Sequence, residues 1–251
     1  MTTGGFNLHA LKEFASATDP SSLGPSTLLK YTAFTITVFD KYPKAKYHFL
    51  ILPRIDPKVA HRTTSALHDL RSLLMLGPEK AKVVLKELEE ASVAVEEMIR
   101  DEMHGDHGEG VEWEVMKGFH AVPSMSHLHL HVISSDYVSP SLKTKKHWNS
   151  FNPKFGFFLH IKDVMGWLDL PEAALRERIH STSQSEPLLK DNMKCWKCST
   201  APSNIPKLKE HLQMHFDRDL AKLKKSRKHE VIDLAGDEDA DEIPHKIQKH
   251  E

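Results

Sequence analysis

The sequence predicts an α+β fold, an antiparallel sheet covered by packed helices and followed by a small C-terminal module. Three observations carry this. Short runs that alternate apolar and polar residues follow one another through connections too short for parallel crossovers. One long stretch repeats apolar residues every three or four positions. After Trp167 the texture becomes polar and then gives way to a compact segment containing both cysteines.

Taken in order, Leu8, Leu11, Phe14 and Ala15 fall on one face of a short helix, Leu8 to Ala17, that Pro20 ends. Tyr31 to Phe39 and Tyr47 to Leu52 are β-rich and flank Asp40-Lys41-Tyr42-Pro43, whose proline suits a turn, so they read as a hairpin. A modest helix is expected from Ser65 to Leu76. Gly77-Pro78 breaks it before the strongest helical signal, Glu79 to about Met103, where Val84, Leu88, Ala91, Val95 and Met98 form one stripe. Val111 to Lys117 and His127 to Ile133 alternate like half-buried strands. Pro171 to about Ile179 reads as helix, 181 to 187 as linker, and Pro206 to Lys225 as the helix of the terminal module. The end, from Arg227, is too polar to pack. The predicted division is an N-terminal helix (1–20), a catalytic domain (21–170), a helix and linker (171–190), a metal-binding module (191–225) and a disordered acidic tail (226–251).

Lys and Arg total 34 against 35 for Asp and Glu, so net charge announces no polyanion partner and any basic surface must be local. Cys195 and Cys198, the only cysteines, lie too close together to staple a secreted fold. With no basic-then-apolar leader and no run of eighteen apolar residues, the expectation is a soluble intracellular protein without a membrane partner.

In His127-Leu128-His129-Leu130-His131-Val132-Ile133, strand alternation would place three imidazoles on one face and the aliphatic residues in the core. Among 18 histidines such spacing is only moderately specific. The preceding Gly118 to Ser126 loop raises the signal, because its hydroxyls and backbone N–H groups suit a phosphate. Cleaving a phosphoanhydride without a catalytic metal needs a nucleophile that is uncharged at neutral pH, which imidazole supplies. The segment resembles the histidine-triad superfamily, and that resemblance implies His129 as the nucleophile, its other ring nitrogen held by a backbone carbonyl or a neighbouring imidazole.

Cys195-x2-Cys198-x12-His211-x3-His215 has the spacing of a Cys2His2 zinc site, two thiolates on a knuckle and two imidazoles one helical turn apart. Pro206 fits the first turn of that helix. Pro202 stands where such fingers carry an aromatic residue, leaving Trp196 or Ile205 to fill the small core. Lys207, Lys209, Gln213 and Arg218 suit phosphate contacts more than a base code, so any grip on DNA should tolerate sequence.

The triad resembles the histidine-triad superfamily, and Asp40 to Pro53 resembles that family's nucleoside-binding hairpin. Phe119 to Ser126, Leu142 to Phe151 and the finger make the chain most similar to the aprataxins, the branch of DNA adenylate hydrolases. The resemblance implies a histidine-triad fold, a structural zinc, and removal of AMP from adenylated 5′ DNA ends through an AMP-histidine intermediate in the nucleus. It further implies that His127 and His131 orient His129 and donate to phosphate oxygens, that Ser124 bonds the phosphate, and that His120 serves the leaving group or is a buried structural histidine. Asp40 would accept from the ribose or merely cap a turn. Phe39, Lys41 and Leu50 would frame the nucleoside. Lys145 and Lys146 would hold the DNA-side phosphates or be plain exposed lysines. The N-terminal helix would wedge against a base pair through Phe14 or Leu11, or simply pack.

Lys222 to Lys228 reads equally as a nuclear-import signal or a solvated helix end. Val231-Ile232-Asp233-Leu234 before an acidic run resembles a SUMO-interacting strand, against a disordered tail. Two other functions stay open: the same chemistry on dinucleoside polyphosphates or nucleoside phosphoramidates, and non-enzymatic nucleic-acid binding.

Overall fold

The computed structural model describes residues 7–107 and 113–236. Its sheet contains β1 (Leu28–Tyr31), β2 (Thr35–Phe39), β3 (His48–Pro53), β4 (Val115–His120), β5 (Leu130–Ser134) and β6 (Phe158–His160). The spatial order is β1-β2-β3-β5-β4-β6 and every pairing is antiparallel. The helices are α1 (Ala10–Ala15), α2 (Leu70–Leu74), α3 (Pro78–His107), α4 (Lys145–Phe151), α5 (Ile161–Trp167), α6 (Glu172–Thr182) and α7 (Ile205–Gly236). The expected α+β class and antiparallel sheet are therefore present.

Period two decides what each sheet face buries. Ile51, Leu130 and Val132 face α3 and close one core with its Val84, Leu85, Leu88 and Val95. On the opposite face Ile36, Val38, Leu50 and Leu52 pack with Leu11 and Ala15 of α1. Further along that face Met116, Ile133, Tyr137, Trp148, Phe151 and Phe158 join Cys195, Leu208 and Leu212. The metal-binding module is thus not tethered beside the catalytic layer; it shares a core with it. Gly118 permits the close approach of β4 and β6, since a Cβ there would lie 2.6 Å from the Leu159 carbonyl oxygen and 2.6 Å from Phe158 Cε1.

Several elements differ from expectation. The helix expected over 65–76 shrinks to α2, whose N-cap Asp69 accepts from the Ser72 N–H. The expected linker is not extended: α6 reaches Thr182, and Glu186–Lys190 forms a 3-10 turn against α4. Asn149 holds that turn by donating from Nδ2 to the Leu188 and Asp191 carbonyls at 3.3 and 2.8 Å. The C-terminal helix runs eleven residues past Lys225 to Gly236, so Val231–Leu234 has helical rather than extended backbone. The acidic run from 237 and the first six residues lie outside the described residues. Leu11 is only 4% exposed, which removes it as a wedge, while Phe14 is half-buried against the same cluster. No helix among the described residues is long and apolar enough to cross a membrane.

Candidate active site and zinc centre

A cavity of about 590 Å³ opens on the sheet face opposite α3. Its walls include Asp40, Lys44, Leu50, His120, Ser124, His129, His131, Lys146 and Phe151. Of the residues predicted for catalysis and substrate, His120, His129, His131, Asp40, Leu50, Ser124 and Lys146 are brought together here. His127, Phe39, Lys41 and Lys145 are not.

Antiparallel register explains Phe39. Facing partners share a sheet face; Val38 pairs with Leu50 and Phe39 with Phe49, so it is Val38 that lies on the cavity side. Phe39 stacks on Phe49 at 5.4 Å over the α3 side. Lys41 places its ammonium over Tyr42, 5.7 Å from the ring centroid. Lys145 donates to the Lys190 carbonyl at 2.6 Å, bracing the 3-10 turn. Asp40 caps the turn, its Oδ1 accepting from the Tyr42 N–H at 2.6 Å, and the residue also lines the cavity.

The three triad histidines do not occupy one strand. β5 begins only at Leu130, and His127 is left-handed at φ 85° because its backbone bonds the loop before α2, His127 N–H to the His68 carbonyl and Leu128 N–H to that of Leu67. His127 Nε2–H donates to the Pro53 carbonyl at 2.8 Å, so its ring is a brace, not a cavity wall. Its own carbonyl accepts from His129 Nδ1–H at 2.8 Å. That bond puts the His129 proton on Nδ1 and leaves the Nε2 lone pair available.

A second relay, through a histidine the sequence reading missed, fixes His131. The Lys44 N–H donates to His48 Nδ1 at 3.1 Å, which places the His48 proton on Nε2. His48 Nε2–H then donates to His131 Nδ1 at 3.0 Å, so His131 carries its own proton on Nε2. That nitrogen and His120 Nε2 are buried with no hydrogen-bond partner. Their rings lie 4.4 Å apart, and the His129 and His131 rings 4.9 Å. Two orphan polar atoms in one cavity wall fit a ligand that brings its own oxygens.

Burial, the largest influence on all of these rings, keeps them neutral. It lowers His129, drives His120 and His131 well below the ordinary imidazole value, and takes His48 and His127 to about 4. Lys44, its ammonium bonded to the Tyr42 carbonyl, is lowered by burial against the pull of Asp40. Lys143 and His147 complete the rim; His147 Nδ1 accepts from the Lys143 N–H at 3.1 Å and so ties the rim to α4. No local pattern announced His48, Lys44 or His147, because only strand pairing and the α4 turn bring them in.

Cys195, Cys198, His211 and His215 converge as their spacing predicted, with ligand atoms all within 4.8 Å of one another. Cys198 Sγ lies 3.1 Å from His211 Nε2 and 3.3 Å from His215 Nε2, and Cys195 Sγ 3.7 Å from His215 Nε2. A tetrahedral zinc with ordinary bond lengths would space such atoms by about 3.3–3.6 Å. The residues fit the ion. Trp196 and Ile205 both pack against the shared core, in the role the missing aromatic would have filled.

A family model described as "Scavenger mRNA decapping enzyme C-term binding" matches residues 24–147, and one described as "C2HE / C2H2 / C2HC zinc-binding finger" matches residues 154–218. The chain is 36% identical over 184 residues to the Gallus gallus protein named aprataxin, covering 73% of this chain and 49% of that one. It is 32% identical over 196 residues to an aprataxin-like protein of Schizosaccharomyces pombe, covering 76% and 75%. It spans only about half of the vertebrate relatives it matches. The structure resembles the crystal structure of the aprataxin ortholog Hnt3 in complex with DNA, with a TM-score of 0.63 at 28% identity over 86% of this chain and 97% of that one. The same ortholog with DNA and guanosine gives a TM-score of 0.59 at 29% identity over 84% and 96%.

Proposed function

The chain belongs to the aprataxin family, and on that premise we propose that it hydrolyses adenylated 5′ DNA ends, releasing AMP and a 5′-phosphate through a covalent AMP-histidine. One observation carries this reading: His129 Nδ1–H is spent on the His127 carbonyl, and its free Nε2 stands among the unpartnered nitrogens of His120 and His131.

In the first step His129 Nε2 attacks the AMP phosphorus, forming an N–P bond as the anhydride P–O bond breaks and the DNA 5′-phosphate departs. His131 Nε2–H donates to a non-bridging oxygen as negative charge grows there. Ser124 and Lys146 hold the phosphates. The substrate's negative charge raises the proton affinity of the neutral His120, which lets it take up a proton and steady the departing oxygen. Asp40 accepts from the ribose and Leu50 packs on the nucleoside. Water then cleaves the N–P bond, releasing AMP and restoring neutral His129.

His127 acts through its carbonyl and the Pro53 bond rather than by touching phosphate. Zinc, held by Cys195, Cys198, His211 and His215, is structural and fixes the module against α4. The lysines around the cavity favour a polyanionic leaving group over a small phosphoramidate, and action on DNA implies a nuclear protein. An end-stacking role for α1 rests on Phe14. SUMO recognition through Val231–Leu234 requires the end of α7 to unwind, and unchanged pull-down by Ile232→Ala would remove it.

The test compares an adenylated nick with an adenosine phosphoramidate, using wild type and His129→Ala, and captures radiolabelled AMP on the wild-type chain. Expected are preference for the nick, label on His129, and loss of both activities by about 10⁴-fold in the variant. Normal turnover by His129→Ala would overturn the mechanism, and equal preference for the small substrate would overturn the DNA role.

A further inference from the structure

A second cavity, of about 550 Å³, lies where α4 ends and the chain enters the zinc module. Asn152, Lys154, Phe155, Lys194, Trp196 and Ser199 contribute to its walls. It neighbours the catalytic cavity along the chain, since Phe151 lines the first and Asn152 the second. Nothing in the proposed reaction uses it.

Its chemistry is specific. Among the described residues four buried side-chain nitrogen or oxygen atoms lack a hydrogen-bond partner; two belong to the catalytic histidines, and one is Trp196 Nε1 in the wall of this second cavity. A buried N–H without an acceptor is costly, so an oxygen that completes it binds with an advantage. The indole is only partly buried; the Lys197 ammonium lies over the ring, 5.4 Å from its centroid, and the remaining exposed surface is left to a planar ligand. Lys154 and Lys194 supply two positive charges on the same wall against the single carboxylate of Asp191. The Lys194 carbonyl accepts from Trp148 Nε1 at 3.1 Å and from Asn152 Nδ2 at 2.8 Å, so the backbone that carries this lysine is fixed.

An acceptor for an indole N–H, a planar face and an anion are together the features of a nucleotide. We infer that this cavity is a nucleotide subsite, seating one nucleotide of the DNA strand whose adenylated end occupies the catalytic cavity, with its phosphate on Lys154 and Lys194 and its base against Trp196. The inference rests on the reading of the first cavity as a site for DNA ends, and it adds a base contact beside the metal knuckle. α4 then separates two ligand sites, one at its lysine-bearing start and one at its end.

The test reads binding, not turnover. The zinc-loaded full chain, Lys154→Glu and Trp196→Phe are titrated with a single-stranded oligonucleotide and, separately, with AMP; zinc content and melting temperature check each variant. A 5-iodouracil oligonucleotide is photo-cross-linked to wild type and the adduct mapped by mass spectrometry. Expected are an oligonucleotide Kd raised about tenfold by Lys154→Glu and about threefold by Trp196→Phe, unchanged AMP affinity, and a cross-link at Trp196. Unchanged oligonucleotide affinity in both variants, or a cross-link mapping elsewhere, overturns the subsite. Weakening by Lys154→Glu alone with no adduct at Trp196 means unspecific phosphate attraction and also overturns it. Failure of adenylate hydrolysis with these results intact would refute the catalytic reading and leave the subsite standing.

Discussion

Histidine is placed in two clusters of this molecule for opposite purposes. At the zinc centre His211 and His215 point their Nε2 atoms toward each other, 3.1 Å apart, and toward two sulfurs, an arrangement that only a shared cation makes favourable. Around the catalytic cavity, His127, His129 and His48 each donate a ring N–H, the first two to backbone carbonyls and the third to His131. One cluster converges lone pairs on a point. The other ties ring protons to fixed acceptors, so that the lone pair of His129 faces the cavity beside a neutral His120. Residue type does not separate a ligand from a nucleophile; what surrounds Nε2 does.

Stripping zinc should give the largest effect, because Cys195, Leu208 and Leu212 share a core with Trp148 and Phe151. Zinc sites of this kind carry roughly 10 kcal/mol of folding free energy. Chelation is expected to lower the melting temperature sharply and to abolish turnover of a small adenylate as well as of DNA. Intact small-adenylate turnover after chelation would mean that the two clusters are independent.

Acid should act next, and on the catalytic cluster. His48 and His127 lie at about 4 folded against 6.5 for an ordinary histidine. Above pH 6.5 both are neutral in both states and the fold keeps its full stability. As pH falls through 6.5 the unfolded chain takes up protons that the folded state refuses, and stability declines until about 4. Each contributes on the order of 3 kcal/mol over that window. Urea unfolding with zinc present, followed from pH 8 to 4.5, checks this; a flat profile would break the contrast.

His48→Ala is expected to lower kcat about 100-fold with little change in KM, because His131 loses the donor that fixes its tautomer. His48→Gln should recover part of the loss, since its amide N–H donates in the same direction. Equal loss in both variants would reduce His48 to packing. The smallest effect belongs to Phe39→Ala, expected to leave KM for adenylated DNA within about twofold because the ring stacks on Phe49 away from the cavity. A tenfold rise would restore Phe39 to the nucleoside site.

What was legible in the sequence follows the range of the interactions. The zinc ligands were legible because their geometry is local, a knuckle and one helical turn. The sheet class, α3 and the burial of Leu128, Leu130 and Val132 were legible because period and burial are linked residue by residue. His48 was not, since it meets His131 only through a pairing that spans 83 residues. The bracing role of His127 depends on a left-handed backbone that alternation cannot express. Segment 186–190 was misread for the opposite reason: the polar run 181–186 before it hid Leu189, which is buried against α4 and lines the cavity.

Gly118 sits directly across from His131 in the β4–β5 ladder and from His160 in the β4–β6 ladder. Any side chain there would push against Phe158, whose ring borders both His120 and His131. The position is therefore a remote control on catalysis. A methyl group there would press on the Leu159 carbonyl and on the Phe158 ring at once, so such a variant would lose strand pairing and histidine placement together.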